Sequence, residues 1–147
     1  MNDICCIGHI TRDKIITPHH EAFISGGTAF YFSYAIARLP HKVNYQLVTK
    51  LGRFDVEEVK RMRAERIDVL AFTCDNSVFF ENRYEGDQNK RTQRVLSKCE
   101  PFKISEMNGI EAKVFHLGSL LNDDFSADFV RELSTRGHIS IDAQGFL

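Results

Sequence analysis

The sequence lacks several patterns that would place it in a specialised class of protein. Its formal net charge is −1 over 147 residues, with 19 basic and 20 acidic side chains. This balance provides no electrostatic reason to expect a nucleic acid or a membrane surface as partner. No apolar run approaches the length of a membrane span. No basic stretch precedes an apolar segment at the N-terminus, so we expect no signal peptide and a cytoplasmic location.

Motifs for phosphate loops and metals are also missing. There is no G-x-x-x-x-G-K-[ST] loop and no strand–G-x-G-x-x-G–helix unit, which disfavours a Walker-type or Rossmann nucleotide site. The six histidines show no ligand spacing, so we predict no metal site. The four cysteines, at positions 5, 6, 74 and 99, include no C-x-x-C pair. We interpret them as small buried hydrophobes of a reduced protein.

The composition is that of an ordinary globular domain. Hydrophobic residues make up 43% of the chain and charged residues 27%. These proportions argue against collagen, a coiled coil and wholesale disorder. A chain of this length suits one domain that can bury a sizeable core.

Short apolar runs alternate with helix-like stretches along the chain. The run at 4–7 is apolar throughout, which is typical of a strand buried on both faces in a parallel sheet. A loop is predicted at 50–53. The other predicted strands are 43–48, 69–72, 114–117 and 139–141, and the predicted helices are 28–39, 56–66 and 126–134. This alternation predicts an α/β domain with a mainly parallel sheet.

Two predicted hairpins interrupt the alternation. One spans 14–24 around Pro18-His19-His20, and the other spans 76–97 around a polar turn at 85–90. We expect them to form a small separate sheet that lies off the core. Such a projecting sheet could act as a lid over a polar ligand or as a pairing edge for a second copy of the chain.

The pair Gly26-Gly27, directly before a predicted helix, is the sharpest local feature. Glycines let a ligand approach the backbone, and a helix N-terminus offers unpaired N–H donors. The alternative is a turn that needs a positive φ. Asp13 follows the first strand, where a carboxylate can accept two hydroxyl hydrogen bonds, as a sugar requires. A turn or surface aspartate is the alternative there.

Other candidate residues fall at the ends of predicted strands. Ligands of open α/β sheets collect at the carboxyl ends of the strands. The candidates there are Gly8, Lys50, Gly52, Gly118, Asn122 and Asp142. Asp142 has the same two readings as Asp13.

Taken together, these features resemble the PfkB (ribokinase-like) family of carbohydrate and nucleoside kinases. The order and spacing of the matching segments cover nearly the whole chain, but only the N-terminal half of the family's domain. The segments are IGHITRD at 7–13, SGGTAFYFSYAIARL at 25–39, VTKLG at 48–52, FENRY at 80–84, FHLG at 115–118 and IDAQ at 141–144.

The resemblance implies a truncated three-layer α/β/α fold with a β lid formed by insertions at about 13–24 and 76–98. It implies the acceptor-binding part of a kinase that transfers phosphate from ATP, with Mg²⁺, to a hydroxymethyl group of a sugar or nucleoside. Asp13, Gly26 and Gly27 would bind acceptor hydroxyls, and the cleft would be lined by Lys50, Gly52 and Gly118. In this family the lid often forms the dimer interface, so a homodimer is expected.

The sequence departs from the family pattern at two places. Tyr31 stands where the family helix usually carries an asparagine, which puts the identity of the acceptor in doubt. The family's D-x-N-x-R strand end appears as Asp142-Ala143-Gln144. The family's catalytic aspartate and most of its ATP and Mg²⁺ contacts lie in its C-terminal half. We therefore assign no catalytic residue. We expect this chain alone to be inactive and to bind no ATP or Mg²⁺. The alternative function is a non-catalytic module that binds a polyol or forms a dimer.

Overall fold

A computed structural model of the chain describes residues 1–87 and 89–147; Gln88, in the predicted turn at 85–90, lies outside the described residues. The strands in chain order are β1 (Asn2–Ile7), β2 (Thr11–Ile16), β3 (Glu21–Gly26), β4 (Tyr45–Gly52), β5 (Val69–Cys74), β6 (Val78–Tyr84), β7 (Arg91–Ser97), β8 (Ala112–Leu117) and β9 (His138–Ile141). The helices are α1 (Thr28–Ala37), α2 (Val56–Ala64) and α3 (Ala127–Ser134), and short 3₁₀ turns occupy Ile104–Met107 and Ala143–Phe146.

The core is a parallel sheet with β1 at its centre. Within residues 1–87 and 89–147 it has five strands in the order β5-β4-β1-β8-β9, and every neighbouring pair is parallel. Cys6 of β1 lies in register with Leu47 of β4 and His116 of β8. A central parallel strand is covered on both faces, which explains the uninterrupted apolar run at 4–7. The predicted α/β class and mainly parallel sheet are confirmed.

Helices cover both faces of this sheet and give a three-layer α/β/α architecture. Alternate side chains of β1 enter opposite layers, since neighbouring residues of a strand point to opposite faces. Cys5 and Ile7 pack in the layer that contains Phe129 of α3, whereas Cys6 packs in the layer that contains Val59 of α2. The described residues include no helix long and apolar enough to cross a bilayer.

Both predicted hairpins belong to a second sheet, which we call the lid sheet. In the described part of the chain its strand order is β3-β2-β6-β7. The pairs β2–β3 and β6–β7 are antiparallel hairpins, and a parallel β2–β6 ladder joins them. The separate small sheet is therefore confirmed. Asp13, expected between the first strand and the hairpin, instead lies within β2 opposite Ile24 and Phe80.

The predicted loop at 50–53 is wrong over most of its length. Strand β4 continues through Gly52, because Lys50 and Gly52 pair with Phe72 and Cys74 of β5. Leu51 is fully buried at this end of the sheet. The polar Lys50 and the glycine are typical loop residues in sequence, but the β5 ladder holds them in the extended conformation.

The prediction that all four cysteines are reduced is also wrong in the structure. Cys74 and Cys99 form a disulfide between residues 25 apart in sequence, with their Cα atoms 6.2 Å apart. The β6–β7 hairpin lies between them and returns the chain to the end of β5. Cys5 and Cys6 are buried free thiols, as predicted. Burial raises the pKa of each to about 12, so both remain protonated and unreactive at neutral pH.

Candidate functional site

A cavity of about 560 Å³ lies between the lid sheet and the core; we call it the lid cavity. One wall is the inner face of β2, β6 and β7. The opposite wall consists of the start of α1 and the loops that follow β8 and β9. These loops leave the carboxyl ends of parallel strands, which is where open α/β sheets bind their ligands.

The inner face of the lid sheet carries a polar centre. Alternate residues of a strand share one face, and the described residues that line the cavity from the lid are Thr11, Asp13, Ile15, Ile24, Phe80, Asn82, Tyr84, Arg91, Gln93 and Val95. Asn82 is 3% exposed, and its Oδ1 accepts a hydrogen bond from Gln93 Nε2 at 2.9 Å. The carboxylate, the two amides and the Arg91 guanidinium provide both acceptors and donors for hydroxyl groups.

Asp13 and Gly26 meet at the edge of the cavity. Thr11 Oγ1 donates a 2.8 Å hydrogen bond to Asp13 Oδ1. Burial raises the pKa of the Asp13 carboxyl, while the Thr11 hydrogen bond and the charge of Arg91 oppose that shift. A Cβ atom on Gly26 would lie 2.8 Å from Asp13 Oδ2. Gly26 therefore makes room for the carboxylate, and the structure brings these two predicted residues together.

Gly27 also lines the cavity, at the start of α1. Its φ is +97°, and a Cβ atom there would lie 2.7 Å from the backbone oxygen of His9. This conformation requires glycine. No side chain caps the helix at this position, so the first N–H groups of α1 receive no acceptor from a cap residue. The turn reading, a positive φ, is confirmed at Gly27, and ligand binding by the glycine pair stays a prediction.

The opposite wall is a turn after β8 that is folded around Asp124. Asp124 Oδ2 accepts hydrogen bonds from the backbone N–H groups of Leu120 at 2.8 Å and Leu121 at 3.0 Å. Leu120, Leu121 and Asn122 of this turn line the lid cavity. The two leucines of this turn face the polar centre of the lid sheet across the cavity.

Asp124 is backed by a histidine in the core. His9 is fully buried, with Nε2 3.5 Å from Asp124 Oδ1 and Nδ1 3.4 Å from the Lys50 carbonyl oxygen. Burial lowers the pKa of His9, and the neighbouring Asp124 opposes that shift. At 3.5 Å the contact with Asp124 is longer than a hydrogen bond, and in the described residues Nε2 has no hydrogen-bond partner. Sequence reasoning missed this pair, because 115 residues separate its members.

Lys50 and Gly118 are not brought to the lid cavity. Lys50 Nζ lies 2.7 Å from Glu106 Oε1 and donates to the Pro101 carbonyl oxygen at 2.7 Å. A Cβ atom on Gly118 would lie 3.2 Å from the backbone nitrogen of Ala29. The first residue ties a loop to β4, and the second allows α1 to approach the sheet closely. Gly52 likewise allows close packing against the backbone at Ser77, since a Cβ atom on Gly52 would lie 2.8 Å from the Ser77 nitrogen.

Both departures from the family pattern lie at the cavity. Tyr31 and Gln144 line it, from α1 and from the 3₁₀ turn after β9. Asp142 does not line it; its Oδ1 accepts a 2.9 Å hydrogen bond from the Gln144 backbone N–H and so caps that turn. Among the described residues, no three histidine, cysteine, aspartate or glutamate side chains converge as metal ligands.

Comparison with known proteins gives matches among solved structures alone: no family model and no curated protein matches the chain. A pyrophosphate-dependent kinase in the ribokinase family, in a sulfate complex, matches with 27% identity and a TM-score of 0.87. The match covers 98% of this chain and 51% of that one. A pyrophosphate-dependent kinase of the same family, complexed with a pyrophosphate analog and myo-inositol, matches with 26% identity and a TM-score of 0.85. It covers 97% of this chain and 50% of the other.

A more distant match shows the fold alone. The nucleoside kinase of Burkholderia thailandensis, in complex with inosine, is 18% identical, with a TM-score of 0.73 over 97% of this chain and 53% of its own. The chain therefore spans about half the length of each of these solved proteins.

Proposed function

We propose a function on the premise that this chain has the fold of the ribokinase (PfkB) family of kinases and spans about half the length of the members that it matches. The chain is the acceptor-binding and lid part of such a kinase. Its lid cavity binds a small polyhydroxylated acceptor, and the donor site and catalytic base belong to residues that this chain does not include.

The observation that carries the proposal is that the lining of the lid cavity combines polar groups with apolar side chains. The lid wall contributes Asp13, Asn82 and Gln93, and the facing turn contributes Leu120 and Leu121. A ring polyol has hydroxyl groups around its edge and C–H groups on its faces. Hydroxyls that donate to a carboxylate form charge-assisted hydrogen bonds, which are about twice as strong as neutral ones. The C–H groups can pack on the leucines.

The acceptor that we propose is a cyclic polyol such as myo-inositol. The support is that one match above 25% identity was solved with myo-inositol and a pyrophosphate analog. With this acceptor, the phosphate is transferred to a ring hydroxyl of the polyol. The family resemblance instead implied transfer to the hydroxymethyl group of a sugar or nucleoside. By the same reasoning, pyrophosphate becomes a candidate phosphate donor of the whole kinase beside the ATP that the family resemblance implies.

Calorimetric titration of the purified protein with myo-inositol tests the proposal. We expect binding, and we expect Asp13→Asn to weaken it by roughly 10- to 100-fold, because hydrogen bonds to a charged group contribute about 1.5–3 kcal/mol. Asp128→Asn is the matched control, since Asp128 is an exposed aspartate on α3 whose carboxylate contacts Arg131. Absence of binding by the parent protein, or equal binding by Asp13→Asn, would contradict the proposal. Tighter binding of inosine would favour a nucleoside acceptor.

The outer face of the lid sheet supports the expected homodimer. Phe23 is 52% exposed there, and the Arg12 guanidinium lies 5.0 Å from the centre of its ring. Aromatic residues and arginine are enriched at protein–protein contacts. Light scattering of the protein and of Phe23→Ser measures this: we expect a dimer whose dissociation constant increases in the variant. A monomeric parent protein would exclude the dimer.

A further inference from the structure

The disulfide sits at the base of the lid. Cys74 is the last residue of β5, on the edge of the core sheet, and Cys99 follows β7 by two residues. The whole β6–β7 hairpin therefore lies inside the loop that the disulfide closes. Apart from the backbone, no other covalent link between this hairpin and the core occurs in the described residues.

The same hairpin supplies much of the lid wall of the cavity. Asn82, Arg91 and Gln93 reach the cavity from β6 and β7. The noncovalent contacts at its base include the β2–β6 ladder, which begins at the fully buried Val78. They also include polar contacts: Ser77 Oγ donates to Asp55 Oδ2 at 2.6 Å, and Ser97 Oγ donates to the Ser77 carbonyl oxygen at 2.7 Å. The disulfide adds a covalent constraint to these noncovalent contacts and fixes the hairpin base next to β5.

We propose that Cys74 and Cys99 form a reversible thiol–disulfide site that sets the mobility of the β6–β7 hairpin and thereby the affinity of the lid cavity for its acceptor. The disulfide form holds both ends of the hairpin in the position seen here. The dithiol form leaves the hairpin attached to the core through the β2–β6 ladder and the polar contacts at its base. The part concerning the acceptor rests on the proposed function; the part concerning hairpin mobility does not.

The chemistry balances with a low-molecular-weight disulfide such as oxidised glutathione as oxidant. The thiolate of Cys99 attacks one sulfur of the oxidant, forms a mixed disulfide and releases one thiolate. The thiolate of Cys74 then attacks the Cys99 sulfur and releases the second thiolate. Two electrons pass from the protein dithiol to the oxidant, and the two protons of the cysteines end on the two released thiols. A dithiol such as dithiothreitol reverses the exchange.

The four cysteines differ in whether they can take part in thiol–disulfide exchange. Cys99 is half-buried, so a small thiol or disulfide can reach it, and Cys74 is 8% exposed beside it. Cys5 and Cys6 are fully buried in the core, and burial raises their pKa to about 12. Exchange needs an accessible thiolate. The exchange is therefore confined to the pair at the base of the lid.

The experiment begins with thiol counting, which needs no acceptor. The protein is incubated with oxidised glutathione or with dithiothreitol, denatured, alkylated with iodoacetamide and weighed by mass spectrometry. We expect two alkylated cysteines after oxidation and four after reduction. Hydrogen exchange of the two native forms then follows the amides of 78–97, with the amides of α3 as internal control. We expect faster exchange in the hairpin of the reduced form and equal exchange in α3.

The acceptor measurement completes the test. Titration of both forms with myo-inositol should give a dissociation constant roughly two- to tenfold higher for the reduced form, because a mobile lid must be ordered on binding. The Cys99→Ser variant should bind like the reduced form and should not respond to either reagent. Four alkylated cysteines after oxidation, or equal exchange of 78–97 in both forms, would overturn the proposal. If neither form binds myo-inositol but hairpin exchange differs, the redox site stands and the proposed acceptor fails.

Discussion

Replacing Lys50 by methionine distinguishes a structural lysine from a ligand-binding one. Lys50 is a predicted cleft residue, yet its side chain is 3% exposed and its Nζ contacts Glu106 Oε1 and the Pro101 carbonyl oxygen, both at 2.7 Å. The variant removes the ammonium group and leaves the Glu106 carboxylate, which is 16% exposed, without its cation.

The expected loss of stability follows from this geometry. Removing one partner of a buried ion pair costs about 3–5 kcal/mol, because the remaining charge is uncompensated. Glu106 keeps partial exposure and a hydrogen bond from the Lys103 backbone N–H at 2.8 Å. We therefore expect the lower limit, about 3 kcal/mol. In a domain of this size that lowers Tm by roughly 6–12 °C.

Thermal and urea unfolding followed by circular dichroism measure the loss, and calorimetric titration with myo-inositol measures binding. We expect the dissociation constant of Lys50→Met to stay within about twofold of the parent value, since Lys50 does not line the lid cavity. The double variant Lys50→Met/Glu106→Leu should recover much of the stability, because replacing both members of a buried pair by apolar groups is often neutral. Unchanged stability together with a tenfold loss of acceptor affinity would refute the reasoning and make Lys50 a ligand residue.

Three further predictions concern the walls of the cavity and two histidines, the buried His9 and the half-buried His116. Gly27→Ala should lower the free energy of unfolding by about 1–3 kcal/mol, because φ is +97° there; an unchanged urea midpoint would contradict this. Asp124→Ala should cost about 2–4 kcal/mol by leaving two backbone N–H groups unpaired, with a smaller loss for Asp124→Asn; equal losses would contradict it. Burial lowers the pKa of both His9 and His116, so the unfolded chain binds more protons and stability should fall as pH drops below about 6.5. Urea unfolding at pH 7.5 and 5.5 measures the fall, and His116→Gln should reduce it; the same fall in that variant would exclude His116 as a source.

The local sequence pattern predicted those strands and helices whose environment is uniform along their length. The apolar run at 4–7 predicts a central strand because both faces of β1 are covered, and the structure confirms it. The two hairpins are recognisable because each has a turn sequence between strand-like runs. The parallel β2–β6 ladder that joins them is a long-range contact, which no local pattern encodes.

The residues of the candidate site also divide into those that the local sequence predicts and those whose placement depends on long-range contacts. Asp13, Gly26 and Gly27 were predicted as binding residues from the sequence, and all three lie at or beside the lid cavity, while their binding role stays a prediction. The placement of Lys50 could not be predicted from the local sequence, since its partner Glu106 comes from a turn 56 residues later in the chain. The pairs His9–Asp124 and Cys74–Cys99 likewise depend on which segments the fold brings together.

The central claim is that the lid cavity is the acceptor site, and nuclear magnetic resonance tests it most directly. Backbone amide resonances of the isotope-labelled protein are followed while myo-inositol is added. We predict that the largest shifts occur at Asp13, Gly27, Asn82 and Leu121, on both walls of the cavity, while amides of α2 and α3 stay unchanged. Shifts confined to residues outside the cavity, or no shifts at millimolar myo-inositol, would contradict the account.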